Sequence, residues 1–347
     1  MSYSVKIEPS GHAFQVEEGE TILEAALRQG VTLPYGCRNG ACGSCVAKVV
    51  SGEIKYDDED HPPAVTEDEH AIGMTALCQA HAASDIVIES REVEMDKDIQ
   101  VKILPCRIDA MERLNHDVML LKLKLPSTER LQFLAGQYIE ILLKDGRRRS
   151  FSLANAPHND EYLELHIRHI EGGEFTSEVF EHMHIKDILR IEGPHGQFFL
   201  REDSDRPIIF MAGGTGFAPV KGMIEHAVAA GITRPMYVYW GARAREDLYD
   251  HYFVEKLAAE HDNIHYTPVL SEPKEEDNWN GQTGYVHEAI LANHADLSGY
   301  EIYAAGPPVM VYAGRDHFIE QGLALENYIS DAFEYNSNPN PAISAEG

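Results

Sequence analysis

Hydrophobic and polar positions change rhythm twice along this chain. Residues 3–8 and 12–17 alternate apolar with polar around Pro9-Ser10-Gly11, which predicts a β-hairpin. Thr21 followed by Glu24 has the form of a capping box, Ile22, Leu23, Ala26 and Leu27 supply one apolar face, and Gly30 ends the run, so a helix is predicted there. Strand-like 46–50 and 85–89 flank an acidic loop. A small sheet crossed by one helix is a β-grasp arrangement, here over 1–94, and the charged stretch 91–97 reads as a linker. Further on, apolar runs recur at 117–125, 137–143, 150–154 and 162–170, punctuated by Gly136, Gly146 and Pro157, with one helix at 176–183. That is the pattern of an antiparallel β-barrel, placed at 99–203. From 204 to 335, strands at 207–212, 236–240, 264–270 and 301–305 alternate with helices at 218–230, 252–260, 286–293 and 309–321. This alternation predicts a doubly wound, parallel α/β domain. The tail, 336–347, is expected to be disordered.

Four cysteines narrow the chemistry. Cys37, Cys42 and Cys45 lie on one short stretch, and Cys78 follows 33 positions after the third. The C-x4-C-x2-C…C spacing is the plant-type arrangement for a 2Fe–2S cluster held by four thiolates. Gly40, Ala41 and Gly43 leave backbone N–H groups able to approach the bridging sulfides, and glycine accepts the angles such a loop demands. Structural zinc usually takes its ligands as paired short knuckles, unlike three bunched and one distant. A disulfide network does not suit loop cysteines this crowded. The remaining cysteine, Cys106, sits among apolar residues and reads as a small buried hydrophobe.

Composition sets limits on partners. The chain has 347 residues and a formal net charge of −28, with 44 % hydrophobic residues. That charge argues against nucleic acid and anionic membrane surfaces. No apolar run approaches the roughly 20 residues of a membrane span. The first residues lack the apolar core of a secretory signal, so the cytoplasm is the expected compartment. Residues 1–94 hold 17 Asp and Glu against 6 Lys and Arg. This excess reads either as a solvated face that aids solubility or as a docking face for a basic patch on an electron acceptor.

In the barrel, Arg149-Ser150-Phe151-Ser152 precedes Leu165-His166-Ile167-Arg168 and then Gly172-Gly173-Glu174-Phe175-Thr176. A flavin pyrophosphate needs a cation and backbone donors, which Arg149 and the helix start after Gly173 supply. Phe151 offers an aromatic neighbour for an isoalloxazine ring, and Ser152 a hydroxyl for its N5 edge. Taken alone, the four-residue pattern also fits a polar strand with a core Phe. Together these stretches resemble the R-x-[YF]-S and G-G-x-x-[ST] motifs of the ferredoxin–NADP reductase superfamily of flavoproteins. The resemblance implies that His166, Ile167, Arg168, Gly172, Gly173, Phe175 and Thr176 also line the flavin, and that the flavin is FAD.

The α/β part opens on a strand running into Gly213-Gly214-Thr215-Gly216-Phe217-Ala218-Pro219, a turn that can seat a dinucleotide pyrophosphate on a helix N-terminus. It departs from G-x-G-x-x-G and resembles the G-G-T-G-[FLI]-[AT]-P form of the same superfamily. Tyr303-Ala304-Ala305-Gly306-Pro307-Pro308 is similar to its Y-x-C-G-P-P nicotinamide motif, with Ala305 where cysteine is usual. Arg243, in the turn 240–247, falls where the adenosine ribose is read; Glu246 and Asp247 beside it favour NADH over NADPH, and Asp247 is a candidate cap for the next helix. The order of the three parts resembles the one-chain reductases of bacterial multicomponent systems, oxygenase reductases and CDP-6-deoxy-glucoseen reductases among them. Residues 35–45, 239–243 and Ser330-Asp331-Ala332-Phe333 are most similar to the glucoseen-reductase group, which adds Phe333 to Ser152 as a residue beside the reacting ring. The implied flow is NAD(P)H to FAD to 2Fe–2S to a separate protein, a dehydratase or an oxygenase component. A bare electron carrier would need only 1–94, and a cluster-based sensor would need no nicotinamide site. Trp279 reads as a loop anchor, and the 18 histidines as surface or packing residues.

Overall fold

The computed structural model describes residues 2–31, 33–36, 38, 40, 43–57, 61–90 and 99–333; the linker at 91–97 and the tail from 336 lie outside them. The chain divides into two compact units, residues 1–98 and 99–347.

In the first unit β1 (Tyr3–Glu8) and β2 (Ala13–Val16) form the hairpin, with Tyr3 opposite Val16. Helix α1 (Ile22–Arg28) starts on the capping box: the Thr21 hydroxyl accepts from the Glu24 N–H, and the Glu24 carboxylate accepts from the Thr21 N–H at 2.9 Å. Strands β3 (Val46–Ser51), β4 (Ile54–Lys55), β5 (Met74–Ala76), β6 (His81–Ala82) and β7 (Ile86–Glu89) follow, with α2 (Glu67–Ala71) between β4 and β5. The main sheet runs β2-β1-β7-β3-β5, with β1 and β7 parallel, and β4 pairs β6 beside it. Val5, Ile7, Ile22, Leu23, Leu77 and Ile88 close its core under α1. The stretch read as an acidic loop thus contains α2, which has its own capping box on Thr66 and Glu69. It has no buried residue, so no apolar periodicity announced it.

The second unit begins with β8 (Lys102–Arg113), β9 (Val118–Lys124), β10 (Tyr138–Leu142), β11 (Arg148–Ser152), β12 (Leu163–Arg168), α3 (Glu174–Glu181) and β13 (Ile188–His195). These antiparallel strands order as β11-β10-β13-β8-β9-β12, and the Leu153–Leu165 bridge joins the two edges into a barrel. Helix α3 starts two residues earlier than predicted, because Gly173 is its N-cap. Strands β8 and β13 were not among the predicted runs. Each contains a proline, Pro105 and Pro194, which speaks against a strand when read locally. Cys106 is buried on β8, and burial pushes its thiol up to about 12.

The α/β layer continues with β14 (Ile208–Gly213), α4 (Phe217–Ala229), β15 (Met236–Ala242), α5 (His251–Glu260), β16 (Ile264–Leu270), β17 (Gln282–Thr283), α6 (Val286–Asn293), β18 (Glu301–Gly306), α7 (Pro308–Glu320) and β19 (Tyr328–Ala332). Its parallel sheet runs β17-β16-β15-β14-β18-β19. Strand β14 is buried along its whole length, as an interior strand of a doubly wound sheet must be. The order reverses between β14 and β18, which opens a crevice at their C-terminal ends. Strand β19 was not predicted, and the Trp279 indole anchors its loop by donating to the Gln282 carbonyl at 2.8 Å. Among the described residues no helix is long and apolar enough to cross a membrane.

Candidate functional site

The cysteine site lies in the first unit. Cys45 and Cys78 are buried, uncrosslinked thiols, and Cys37 and Cys42 fall outside the described residues. Cys45 sits just before β3 and Cys78 just after β5; the Leu77 N–H donates to the Cys45 carbonyl at 3.2 Å. The Tyr56 phenol is pushed up mainly by burial and further by the charge that Cys45 and Cys78 would carry as thiolates. Arg38, Gly40 and Gly43 have φ of 62°, 83° and 74°, the left-handed backbone of a tight cradle. The Gln79 amide donates to the carbonyls of Arg38 (3.0 Å) and Cys78 (2.9 Å), stapling the loop to the distant cysteine. A Cβ on Gly40 would lie 2.7 Å from Pro62 and 2.9 Å from Gln79, so the loop closes only around glycine. Two buried, uncrosslinked thiols, with left-handed backbone at Arg38, Gly40 and Gly43 and the Gln79 staple, fit a thiolate-held 2Fe–2S cluster.

In the barrel, alternation along the β11 stretch sets Arg147, Arg149 and Phe151 toward α3. Arg147 Nη2 meets Glu174 at 2.5 Å, and the Phe151 and Phe175 ring centroids are 5.6 Å apart. Arg149 stands between these two contacts, partly buried, and its guanidinium donates to the Arg148 carbonyl at 2.8 Å. Thr176 ties off the start of α3 through Ile170 N–H (3.1 Å) and the Gly173 carbonyl (3.1 Å). A Cβ on Gly173 would lie 2.6 Å from that hydroxyl. Gly172 supplies the positive φ of 76° just before. Ser152 is buried at the end of β11. A cation, open helix N–H groups, an aromatic pair and a serine at the end of the strand fit a flavin dinucleotide.

The third group gathers at the crevice between β14 and β18. A Cβ on Gly216 would fall 2.0 Å from the Ala305 carbonyl, one on Gly306 2.8 Å from the Gly213 carbonyl, and one on Gly213 2.9 Å from Pro307. The two glycine turns therefore touch backbone to backbone, and Thr215 is buried between them and α4. Phe333 donates its N–H to the Gly306 carbonyl at 2.8 Å. Arg168, ion-paired to Asp117 at 3.0 Å, brings Nη1 to 2.6 Å from where a Gly214 Cβ would be. The barrel strand β12 thus reaches the dinucleotide turn directly. Ile167 is buried in the barrel core, while His166 turns to Tyr249 at 3.1 Å, and burial lowers its imidazole to about 3.

Sequence reasoning passed over several residues that build this region. The Trp240 indole donates to the Gly214 carbonyl at 3.0 Å and stacks on Phe217 at 3.9 Å, with Tyr249 edge-on. Trp240 entered the sequence reading only as part of the stretches 239–243 and 240–247, with no role of its own. Asp117 and Gln79 left none, since both act through partners remote in sequence. One expectation is corrected: Asp247 does not cap α5. Its carboxylate turns back to accept the Ala244 N–H at 2.9 Å, closing the turn on itself, and Asp250 is the cap residue of α5. In the same turn Glu246 pairs with Lys274 at 2.6 Å, Arg245 bonds the Asp277 carbonyl at 3.3 Å, and Arg243 is exposed.

Known families align with these three groups. The "2Fe-2S iron-sulfur cluster binding domain" matches residues 5–83, the "Oxidoreductase FAD-binding domain" residues 105–200, and the "Oxidoreductase NAD-binding domain" residues 210–316. The chain belongs to the family of one-chain iron–sulfur flavoprotein reductases, in which these domains follow one another. It is 42 % identical over 333 residues to the CDP-6-deoxy-L-threo-D-glycero-4-hexulose-3-dehydrase reductase of Yersinia pestis, covering 96 % of this chain and 99 % of that one. It is 37 % identical over 344 residues to the phenol 2-monooxygenase reductase component of a Pseudomonas species, covering 96 % of each. The crystal structure of an Amycolatopsis cytochrome P450 reductase is similar with a TM-score of 0.76 at 31 % identity, covering 95 % of this chain and 98 % of that one. The protein is an NAD(P)H-dependent electron-transfer oxidoreductase that uses FAD and a 2Fe–2S cluster.

Proposed function

We propose that this reductase delivers electrons, one at a time, to a sugar-nucleotide dehydrase that removes a hydroxyl from a CDP-hexulose. The observation that carries this is the 42 % identity to the hexulose-dehydrase reductase along 96 % of the chain. Bound FAD would supply the chemistry that converts the electron pair of NAD(P)H into single electrons for the cluster. Cys37, Cys42, Cys45 and Cys78 hold the cluster. Arg149, Phe151, Gly172, Gly173, Phe175, Thr176 and the β12 residues His166, Ile167 and Arg168 hold FAD. Gly213, Gly214, Thr215, Gly216, Arg243, Gly306 and Pro307 hold the nicotinamide cofactor, with Ser152 and Phe333 beside the reacting ring. Supporting this assignment, the two glycine turns meet at the sheet's switch point, and Arg168 links that point to the flavin strand. The division into domains at 1–94, 99–203 and 204–335 and a cytoplasmic location belong to the same proposal.

A second reading, service to an oxygenase, draws on the 37 % identity to the phenol-monooxygenase component. Reconstitution separates the two. The purified holoprotein with NADH is mixed either with a CDP-hexulose dehydrase and its substrate or with a phenol hydroxylase component and phenol. Deoxygenated sugar nucleotide in the first mixture supports the proposal; turnover only in the second replaces it.

A further inference from the structure

Helix α4 leaves the glycine turn of the crevice, and its second turn docks on the segment that leaves β11. Lys221 is buried there. Its Nζ lies 2.7 Å from Glu225 Oε1, 3.7 Å from Glu164 Oε2, 3.5 Å from the Ala154 carbonyl, and 5.0 Å over the Phe253 ring. The other Glu225 oxygen accepts the Ala156 N–H at 3.3 Å. Between these contacts stands Gly222, where a Cβ would fall 2.9 Å from the Asn155 carbonyl oxygen and 3.3 Å from that of Leu153. One helical turn is thus keyed to residues 153–156, directly after Ser152. The same key reaches β12, because Ala154 N–H donates to the Glu164 carbonyl at 2.8 Å and Glu164 lies two residues before His166.

A buried ammonium is costly unless it is paired, and the partners here come from both sides of the seam. The neighbouring residues Val220, Met223 and Ile224 already bury α4 in an apolar core, so packing does not require the charge. An apolar contact tolerates sliding, whereas a charge held between a carbonyl and two carboxylates fixes register.

We propose that Lys221 is a positioning residue which, with Gly222 and Glu225, sets the glycine turn of the nicotinamide crevice relative to the Ser152 end of the flavin strand. The proposal rests on the reductase reading. It is tested in the FAD-loaded full chain by Lys221→Met and Lys221→Arg, with four measurements: FAD content, NAD+ affinity by calorimetry, visible circular dichroism of the bound flavin with saturating NAD+, and the rate of flavin bleaching at saturating NADH without oxygen. Lys221→Met is expected to keep FAD and NAD+ affinity, to alter the flavin dichroism, and to slow bleaching about tenfold to hundredfold, the scale of a misplacement near 1 Å. Lys221→Arg is expected to restore the wild-type dichroism and most of the rate. An unchanged rate and dichroism in Lys221→Met, or an arginine variant as slow as the methionine one, overturns the proposal. If Lys221→Met does not fold, Glu225→Gln, which keeps an acceptor for Ala156, is judged by the same two readouts. A wild-type protein that NADH does not bleach overturns the reductase reading itself.

Discussion

Arg147 meets the Glu174 carboxylate at 2.5 Å, so the chain entering β11 is tied to the first turn of α3. Both side chains are partly solvated, and such a pair contributes little stability. Its consequence is geometric. With Phe151 on Phe175 at the other end, the β11 backbone that carries Arg149 is fixed beside the start of α3 before any ligand arrives. A backbone cradle ordered in advance lowers the ordering cost of binding.

Arg149→Ala should therefore weaken FAD retention by the worth of one charge-assisted contact, about 1.5–3 kcal/mol, or roughly tenfold to a hundredfold in affinity. Dialysis against flavin-free buffer, followed by the flavin-to-protein absorbance ratio, measures it. A variant that holds FAD as tightly as wild type places the pyrophosphate clamp elsewhere.

Cys78→Ser or Cys42→Ser should abolish the visible 2Fe–2S absorption while NADH still bleaches the flavin, because the cysteine site and the flavin cradle belong to separate units. Iron and sulfide analysis beside the spectrum checks it. A full cluster in either variant would falsify the four-thiolate assignment.

Local signals were read well where chemistry and geometry coincide in a short stretch. The Thr21–Glu24 capping box, the glycine turn after β14 and the cysteine spacing each carry their own physical cause within a few residues. What escaped was decided at a distance. Strand β8 is held by ladders to β13 and β9 although Pro105 argues against it locally. Trp240 matters because the Gly214 carbonyl lies above it, and Lys221 because Glu164 comes from another layer. The reading of Asp247 as a helix cap failed because its carboxylate found the nearer Ala244 N–H. Pattern reading names the residue type a site needs, but not which buried partner a side chain will meet.

His166 gives stability a pH dependence. Burial lowers its folded value from 6.5 to about 3, so the native imidazole stays neutral while the unfolded chain takes up a proton below about pH 6.5. Stability is then lost progressively as pH falls from 6.5 toward 3, by a few kcal/mol at most. Asp250 acts in the opposite sense: burial raises it from 3.8 to about 6, so its ionisation destabilises the fold as pH rises through that range. Urea unfolding of wild type and His166→Asn at pH 7.5 and 4.5 isolates the histidine. The variant should lose less on acidification, and equal losses would remove His166 as the cause.

The nicotinamide preference turns on the loop after β15. Lys274 holds Glu246 below the ordinary carboxylate range, and Asp247 is committed to the Ala244 N–H. Neither is then free to swing toward a ribose hydroxyl, but both keep negative charge where a 2′-phosphate would arrive, together with Asp277. Arg245 is engaged with Asp277, which leaves exposed Arg243 as the cation most open to a phosphate. With Glu246, Asp247 and Asp277 balancing Arg243, Arg245 and Lys274, the turn has no excess of positive charge to draw a 2′-phosphate, which favours NADH, with NADPH still accepted. Measured kcat/KM should be higher for NADH, and Arg243→Ala should depress the NADPH value more than the NADH value. A tenfold preference for NADPH, about 1.4 kcal/mol, would reverse the assignment and make Arg243 the phosphate ligand.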